Sequence, residues 1–276
     1  PPYFLADRLI EEVKKQVTLM AKELQIIGLM NVQVAVKGTT IYILEVNPRA
    51  SRTVPFLSKA TGVPMAKIAT QLILGKKLRE INITQRPSNL YAVKEAVFSF
   101  DKFMEVDPIL GPEMRSTGES IGIDSHFPMA FLKAAEGAGF HLPKEGRIFI
   151  SVPDEDKPKI IPIVEKLEQL GFSLVATEGT TQYLHRHGFR VDTIGKVFKE
   201  KRNILEDIKE GKVGMIFNTP SGIHEWSDAR KIRKAAFSYR IPCYTTIPSA
   251  SAAVKAVEMR RKTAPSLYCL QDIHSG

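Results

Sequence analysis

Glu45 and Asn47 stand two residues apart in a run that alternates apolar and polar side chains, and Arg49 and Arg52 follow closely. A strand turns every second side chain to the same face, so the two oxygen-bearing groups would lie about 7 Å apart along it. A carboxylate and an amide oxygen suit a hard divalent cation beside nucleotide phosphates, where one or two carboxylates suffice. Two arginines offer forked donors for phosphate or carboxylate. Such a set can hold a divalent cation and an anionic phosphate or carboxylate group side by side. A polar strand face turned to solvent is the plain alternative.

The elements that must position these groups are two strands, 32–36 and 41–47, joined by a short Gly-containing turn. Val32, Val34 and Val36 share one face, and Tyr42, Leu44 and Val46 are expected on the same buried side. The smallest loop that satisfies this is Gly38-Thr39-Thr40. Gln33 then lies opposite Glu45, and Asn31 opposite Asn47. The other face presents Gln33, Glu45 and Asn47 together, and a cross-strand hydrogen bond to Glu45 is the simplest structural role for Gln33.

The string Glu45-Val46-Asn47-Pro48-Arg49-Ala50-Ser51-Arg52-Thr53-Val54-Pro55-Phe56-Leu57-Ser58-Lys59-Ala60-Thr61-Gly62-Val63-Pro64 resembles the signature of the carbamoyl-phosphate synthetase large subunit. Lys94-Glu95 and Asp107-Pro108-Ile109-Leu110-Gly111-Pro112-Glu113-Met114-Arg115-Ser116-Thr117-Gly118-Glu119 extend the resemblance, as does the α/β segment that follows. It covers nearly the whole chain and points to the end of the second, carbamate-phosphorylating ATP-grasp half. The resemblance implies a ligase that uses ATP with Mg2+ or Mn2+ to make carbamoyl phosphate from bicarbonate and glutamine-derived ammonia, for arginine and pyrimidine biosynthesis. It implies Gln33, Glu45 and Asn47 as metal ligands, and Arg49 and Arg52 as groups that position the reactants. A Gly-rich phosphate-covering loop and the nucleotide-binding subdomain lie upstream in that family. The expected partners are therefore the missing upstream part of the large subunit and a glutaminase small subunit, in an oligomeric enzyme, and the isolated chain is expected to be inactive.

Around these residues the periodicity predicts a helix over 7–30 with Asp7 as its cap, a helix over 63–74, a strand over 93–100, an ordered loop over 108–122 and a helix over 128–138. After Gly139 short apolar strands (148–152, 173–177, 191–194, 213–218 and 243–247) alternate with helices (158–170, 181–187, 203–210, 228–239 and 249–260). That alternation predicts a parallel sheet with helices on both faces. The fold class is α/β: residues 1–139 close an ATP-grasp α+β domain with a helical extension, and 140–276 form a Rossmann-like sheet domain.

Ligands of open parallel sheets sit beyond the carboxyl ends of the strands, which selects 152–157, 177–181, 194–196 and 218–222. Thr177-Glu178-Gly179-Thr180-Thr181 runs from strand into helix, where free amides, hydroxyls and the helix dipole favour an anion. Lys157 and Lys196 fall near neighbouring strand ends. Capping by Thr180 alone is the simpler reading of that segment. The domain resembles methylglyoxal synthase, the fold that bacterial synthetases use for allostery. The resemblance implies that Lys157, Thr177, Gly179, Thr180, Lys196 and Asn218 bind a nucleotide monophosphate such as UMP or IMP. Thr219-Pro220-Ser221 departs from the Thr-Thr-Ser run of nucleotide-responsive members. Lyase chemistry is not implied, because fold does not fix function. The resemblance also pairs Glu95 with Thr245 as an ornithine site, although Cys243-Tyr244 replaces the Tyr-Asp pair that precedes the threonine.

The chain's formal net charge is +9 and its apolar fraction 43%. The basic residues are scattered, with short groups at 199–202 and 260–262, which does not make a nucleic-acid footprint. No apolar run approaches a membrane span, and the first residues have no signal-peptide pattern. Cys243 and Cys269 make neither a disulfide framework nor a metal motif, which favours the cytoplasm. His185 and His187 diverge by about 200° on a helix and read as surface positions. A free-standing anion-binding regulatory module is the competing function, and a methylglyoxal-synthase-like lyase a third.

Overall fold

The computed structural model describes residues 5–83, 89–99, 114–195, 203–219 and 226–275. Lys196, Pro220, Ser221 and the 107–113 part of the long motif lie outside the described residues. The chain divides into two compact units, Pro1–Asn89 with Leu267–Gly276, and Leu90–Ser266.

The first unit contains α1 (Asp7–Glu23), the hairpin β1 (Asn31–Lys37) and β2 (Thr40–Asn47), α2 (Thr53–Thr61) and α3 (Met65–Ile73). Helix α1 ends seven residues before its apolar pattern does, because Gln25 takes a left-handed φ of 50°. The Ile26 amide then donates to the Ala21 carbonyl and the Gln25 amide to Lys22, which closes the helix. No glycine announces this stop. Ala6, not Asp7, is the N-cap residue; Asp7 opens the first turn, where its charge suits the helix dipole. Ala69 is the single buried apolar side chain among the described residues of Pro1–Asn89, while Tyr42, Leu44, Ile73, Leu74 and Leu78 are exposed.

The second unit opens with the antiparallel pair β3 (Tyr91–Phe98) and β4 (Ser116–Asp124), covered by α4 (Phe127–Gly137). The loop expected over 108–122 is thus a strand from Ser116 onward. Its Gly and Ser residues serve close packing: a Cβ on Gly122 would stand 1.9 Å from the Ala130 carbonyl oxygen and 2.6 Å from the Ala134 nitrogen. Asp124 and Lys133 form an ion pair of 2.7 Å at the end of this layer, each side chain 10% exposed. Burial pushes the Asp124 carboxyl up, but hydrogen bonds from Lys133 and the His126 amide outweigh it and hold it below the ordinary carboxylate range. A depressed native value adds stability that is present above about pH 4 and lost as pH falls through that native value. Lys133→Met is therefore expected to cost about 3 kcal/mol at pH 7 by leaving a buried charge unpaired. Asp124→Asn is expected to flatten the loss of stability in acid. Chemical denaturation across pH checks both, and an unchanged acid limb in Asp124→Asn contradicts the assignment.

The remainder builds a parallel sheet: β5 (Arg147–Ser151), α5 (Lys157–Gln169), β6 (Ser173–Thr177), α6 (Glu178–Arg186), β7 (Asp192–Ile194), α7 (Ile204–Lys209), β8 (Met215–Asn218), α8 (Trp226–Ser238), β9 (Cys243–Tyr244) and α9 (Ile247–Lys262). A short α10 (Leu270–Ser275) follows. The sheet order is β7-β6-β5-β8-β9, all parallel. Ile148 and Ile150 face one layer, with Ile160, Val164, Leu167 and Val254; Phe149 faces the other, with Ile204, Ile208 and Ile232. Strand β9 is shorter than the expected 243–247, since the Thr246 hydroxyl caps α9 by accepting from the Ser249 amide. The segment 90–139 shares its compact unit with this sheet.

Candidate functional sites

Hairpin pairing sets Gln33 directly opposite Glu45 and Asn31 opposite Asn47, the register expected from the sequence. The route to it differs. Lys37 pairs with Thr40, so the turn holds only Gly38 and Thr39, and the extra residue is a bulge where Gln33↔Glu45 passes to Val34↔Ile43. Gly38 has φ 62°, which this tight turn requires. The bulge reverses the parity of the outer half of β2: Ile41 and Ile43 lie opposite Val36 and Val34, and Tyr42 and Leu44 are exposed. Tyr42 and Leu44 therefore do not share the face of Val34 and Val36. A bulge next to a candidate ligand is a common means of aiming a side chain.

Asn47 Nδ2 donates to Glu45 Oε1 at 2.6 Å. That contact fixes the two side chains together and leaves the second carboxylate oxygen and the Asn47 amide oxygen to accept. With Gln33 across the strand, the set is one carboxylate and two amides, all hard oxygen donors and exposed enough to reach. It fits a Mg2+ or Mn2+ ion that also has phosphate oxygens to bind, and is too weakly charged for one that does not. Among the described residues there is no group of three His, Cys, Asp or Glu side chains fit to hold a metal. Arg49 follows the strand, its Nη1 donating to the Ala50 carbonyl at 3.1 Å, and Arg52 is the N-cap residue of α2.

At the carboxyl ends of the parallel strands the chain reverses direction between β5 and β8, the place where open α/β sheets leave a crevice. Asn218 lies beside Ser151 there and is 3% exposed. Its Nδ2 and the Thr219 Oγ1 are buried without a hydrogen-bond partner among the described residues. Buried polar atoms without partners are uncommon and mark places where a ligand or water completes the set. Thr177 is the N-cap residue of α6, and its Oγ1 donates to Thr180 Oγ1 at 3.2 Å. Thr180 Oγ1 in turn contacts the Val152 carbonyl at 3.4 Å, tying the end of β6 to that of β5. Thr180 thus braces two strand ends rather than capping its own helix. Lys157 opens α5, and its Nζ would stand 3.6 Å from a Cβ placed on Gly179. The ammonium is therefore held at the first turn of α6. Lys157 and Gly179 line a cavity of about 270 Å3 with Asp154, Gln182, Tyr183 and Arg186. Sequence reasoning missed Gln182, Tyr183 and Arg186, and reached Asp154 only as part of the 152–157 strand end. The spacing of Gln182, Tyr183 and Arg186 on one helix face was the signal available.

Glu95 lies in β3 opposite Ser120. Burial raises its carboxyl above the ordinary range. It is close enough to Tyr244, the residue before Thr245, to help burial push that phenol upward. Burial likewise pushes the Cys243 thiol up to about 12, which leaves it unreactive at neutral pH. His185 Nε2 contacts the Val191 carbonyl at 2.8 Å and His187 Nδ1 the Tyr183 carbonyl at 2.9 Å, so each serves local structure. No helix among the described residues is long and apolar enough to cross a membrane.

Comparison with known proteins places both regions. Residues 1–81 match the family described as the carbamoyl-phosphate synthase L chain, ATP binding domain, and residues 159–245 match the MGS-like domain. The chain is 43% identical over 297 residues to the "Carbamoyl phosphate synthase large chain, C-terminal section" of Aquifex aeolicus, covering 100% of this chain and 55% of that protein. It is 45% identical over 288 residues to the corresponding C-terminal section of Methanopyrus kandleri, covering 100% and 53%. It is 47% identical over 273 residues to the "Carbamoyl phosphate synthase large chain" of Myxococcus xanthus, covering 99% and 25%. The chain thus spans about half the length of those C-terminal sections and a quarter of the longer large chain.

Proposed function

The chain belongs to the carbamoyl phosphate synthase large-chain family, and on that premise we propose that it supplies one wall of an ATP site and an anion-sensing domain. The observation that carries the first part is the hairpin face, where Glu45 is paired with Gln33 and clamped by Asn47 at 2.6 Å. In this reading Gln33, Glu45 and Asn47 hold Mg2+ or Mn2+ against the ATP phosphates, and Arg49 and Arg52 orient the reactants. The bound metal neutralises charge developing on the transferred phosphoryl group. The protein groups contribute alignment, on which phosphoryl transfer chiefly depends. The whole protein then forms carbamoyl phosphate from bicarbonate and ammonia released by a glutaminase partner, in the cytoplasm, as an oligomer.

The chain alone is inactive in this account. Among its described residues the first unit buries one apolar side chain and exposes many, so we propose that a preceding section of the ATP-binding domain covers its exposed apolar groups and brings the nucleotide. We keep 139/140 as the boundary between the two modules. All strands of the parallel sheet follow it, and the antiparallel pair precedes it.

The second part rests on the orphaned Asn218 amide and on Lys157 lodged at the start of α6, which suit a phosphate and the nucleoside attached to it. Thr177, Gly179 and Thr180 shape the crevice, and Lys196 completes the proposed set. UMP or IMP is the proposed effector. Charge-assisted contacts contribute roughly 1.5–3 kcal/mol each, so Lys157→Ala is expected to weaken a nucleoside monophosphate by about tenfold or more. Calorimetric titration of UMP and IMP into both proteins checks this, and equal binding would remove Lys157 from the site. Glu95, a half-buried acid near β9, favours ornithine as a further ligand with Thr245. Heat from ornithine in the same calorimeter, lost in Glu95→Gln, is the expected result. The alternative of a free-standing regulatory module draws on the second unit alone, whose core is self-sufficient.

A further inference from the structure

Lys157 already has an anion. Its Nζ lies 2.6 Å from Oδ1 of Asp154, with the lysine side chain 14% exposed and the aspartate side chain 95% exposed. The two ends of this ion pair differ in kind. The ammonium is fixed in the cavity, beside the first turn of α6 and 5.9 Å above the Tyr183 ring. The carboxylate sits on the 153–156 turn and is open to solvent. So exposed a carboxylate contributes little to stability, yet it occupies the position that a ligand anion would take. A phosphate approaching the same Nζ meets a like charge at contact distance, and repulsion of that kind suppresses binding unless the carboxylate leaves.

Resting on the reading of this crevice as an anion site, we propose that Asp154 is a built-in competitor for it. Its carboxylate neutralises Lys157 when the crevice holds no ligand and must swing outward for a phosphate to bind. Asp154 thus sets the affinity threshold of the site rather than its fold. Arg186, which lines the same cavity, is available to receive either the displaced carboxylate or a second anionic group. Glu178, in the first turn of α6, instead accepts from Gln182 at 3.4 Å, so the competition falls to Asp154.

The test titrates inorganic phosphate and UMP into the complete protein and its Asp154→Asn, Glu155→Gln and Lys157→Met variants. Glu155 is also an exposed acid one residue on, and it controls for a general change of field. Asp154→Asn keeps shape and loses charge, and is expected to bind phosphate about fivefold to tenfold more tightly with an unchanged melting temperature. Glu155→Gln is expected to change binding by less than about twofold, and Lys157→Met to lose it. Equal affinity in wild type and Asp154→Asn, with loss in Lys157→Met, would overturn the competitor while leaving the anion site in place. Equal gains in Asp154→Asn and Glu155→Gln would also overturn it. Binding unaffected by Lys157→Met, or no binding by any variant, would remove the anion site and the competitor together.

Discussion

Glu45→Ala in the complete protein is expected to lower ATP-dependent phosphoryl transfer by about a hundredfold to a thousandfold, the usual loss when a transition-state charge stabiliser is removed. Glu45 carries the one formal charge in the Gln33, Glu45, Asn47 set. Its loss leaves two neutral amide oxygens, one of which also loses the contact that orients it. Because Glu45 is exposed, the fold has little to lose, and the melting temperature should stay within about 2 °C, as for surface substitutions generally. Asn47→Ala should give a smaller loss, since it frees Glu45 without removing its charge. The loss in Glu45→Ala should be partly recovered at high Mn2+ if weakened metal binding is the cause. Steady-state turnover at several metal concentrations checks this, and wild-type turnover in Glu45→Ala would take Glu45 out of the site.

Gly122→Ala is expected to destabilise the second unit by at least roughly 3 kcal/mol, because the added carbon falls on main chain that cannot step aside. The Ala130 carbonyl oxygen would be 1.9 Å away and the Ala134 nitrogen 2.6 Å away. A loss of that size corresponds to a fall in melting temperature of about 6–12 °C for a unit of this length. Gly118→Ala, four residues earlier on the same strand, is the matched control. Its new carbon would meet Val97 at 3.7 Å, an ordinary contact, and stability should hardly change. Thermal unfolding of both variants tests the packing of α4 on β4, and similar curves for the two would contradict it.

The hairpin shows how much of such a site a sequence can carry. The register that joins Gln33 to Glu45 was legible because alternation admits few offsets. The bulge was not, since one residue added to the loop or to the strand gives the same pairing at Glu45 and differs only toward the turn. Strand β4 was hidden by its own packing: Ser120 and Gly122 resemble loop residues, yet their small size lets α4 approach the strand closely. The apolar pattern outran the end of α1 because Gln25, rather than a glycine, takes the left-handed turn. The parallel sheet was the most legible part, since its strands are buried on both faces and read as short apolar runs between amphipathic helices. The Thr177 segment marked a strand end, but a strand end cannot reveal what folds over it. Asp154 on Lys157 and the Asn218 Nδ2, unpartnered among the described residues, needed the third dimension.

The account depends most on the claim that this chain holds only one wall of an ATP site. The direct measurement is carbamoyl phosphate formed from ATP, bicarbonate and ammonia, by the chain alone and by the same chain joined to the preceding large-chain section. The expected result is no product from the chain alone, and ATP- and divalent-cation-dependent product from the joined protein that Glu45→Ala abolishes. Product from the chain alone, or product from the joined protein that ignores Glu45→Ala, would contradict it.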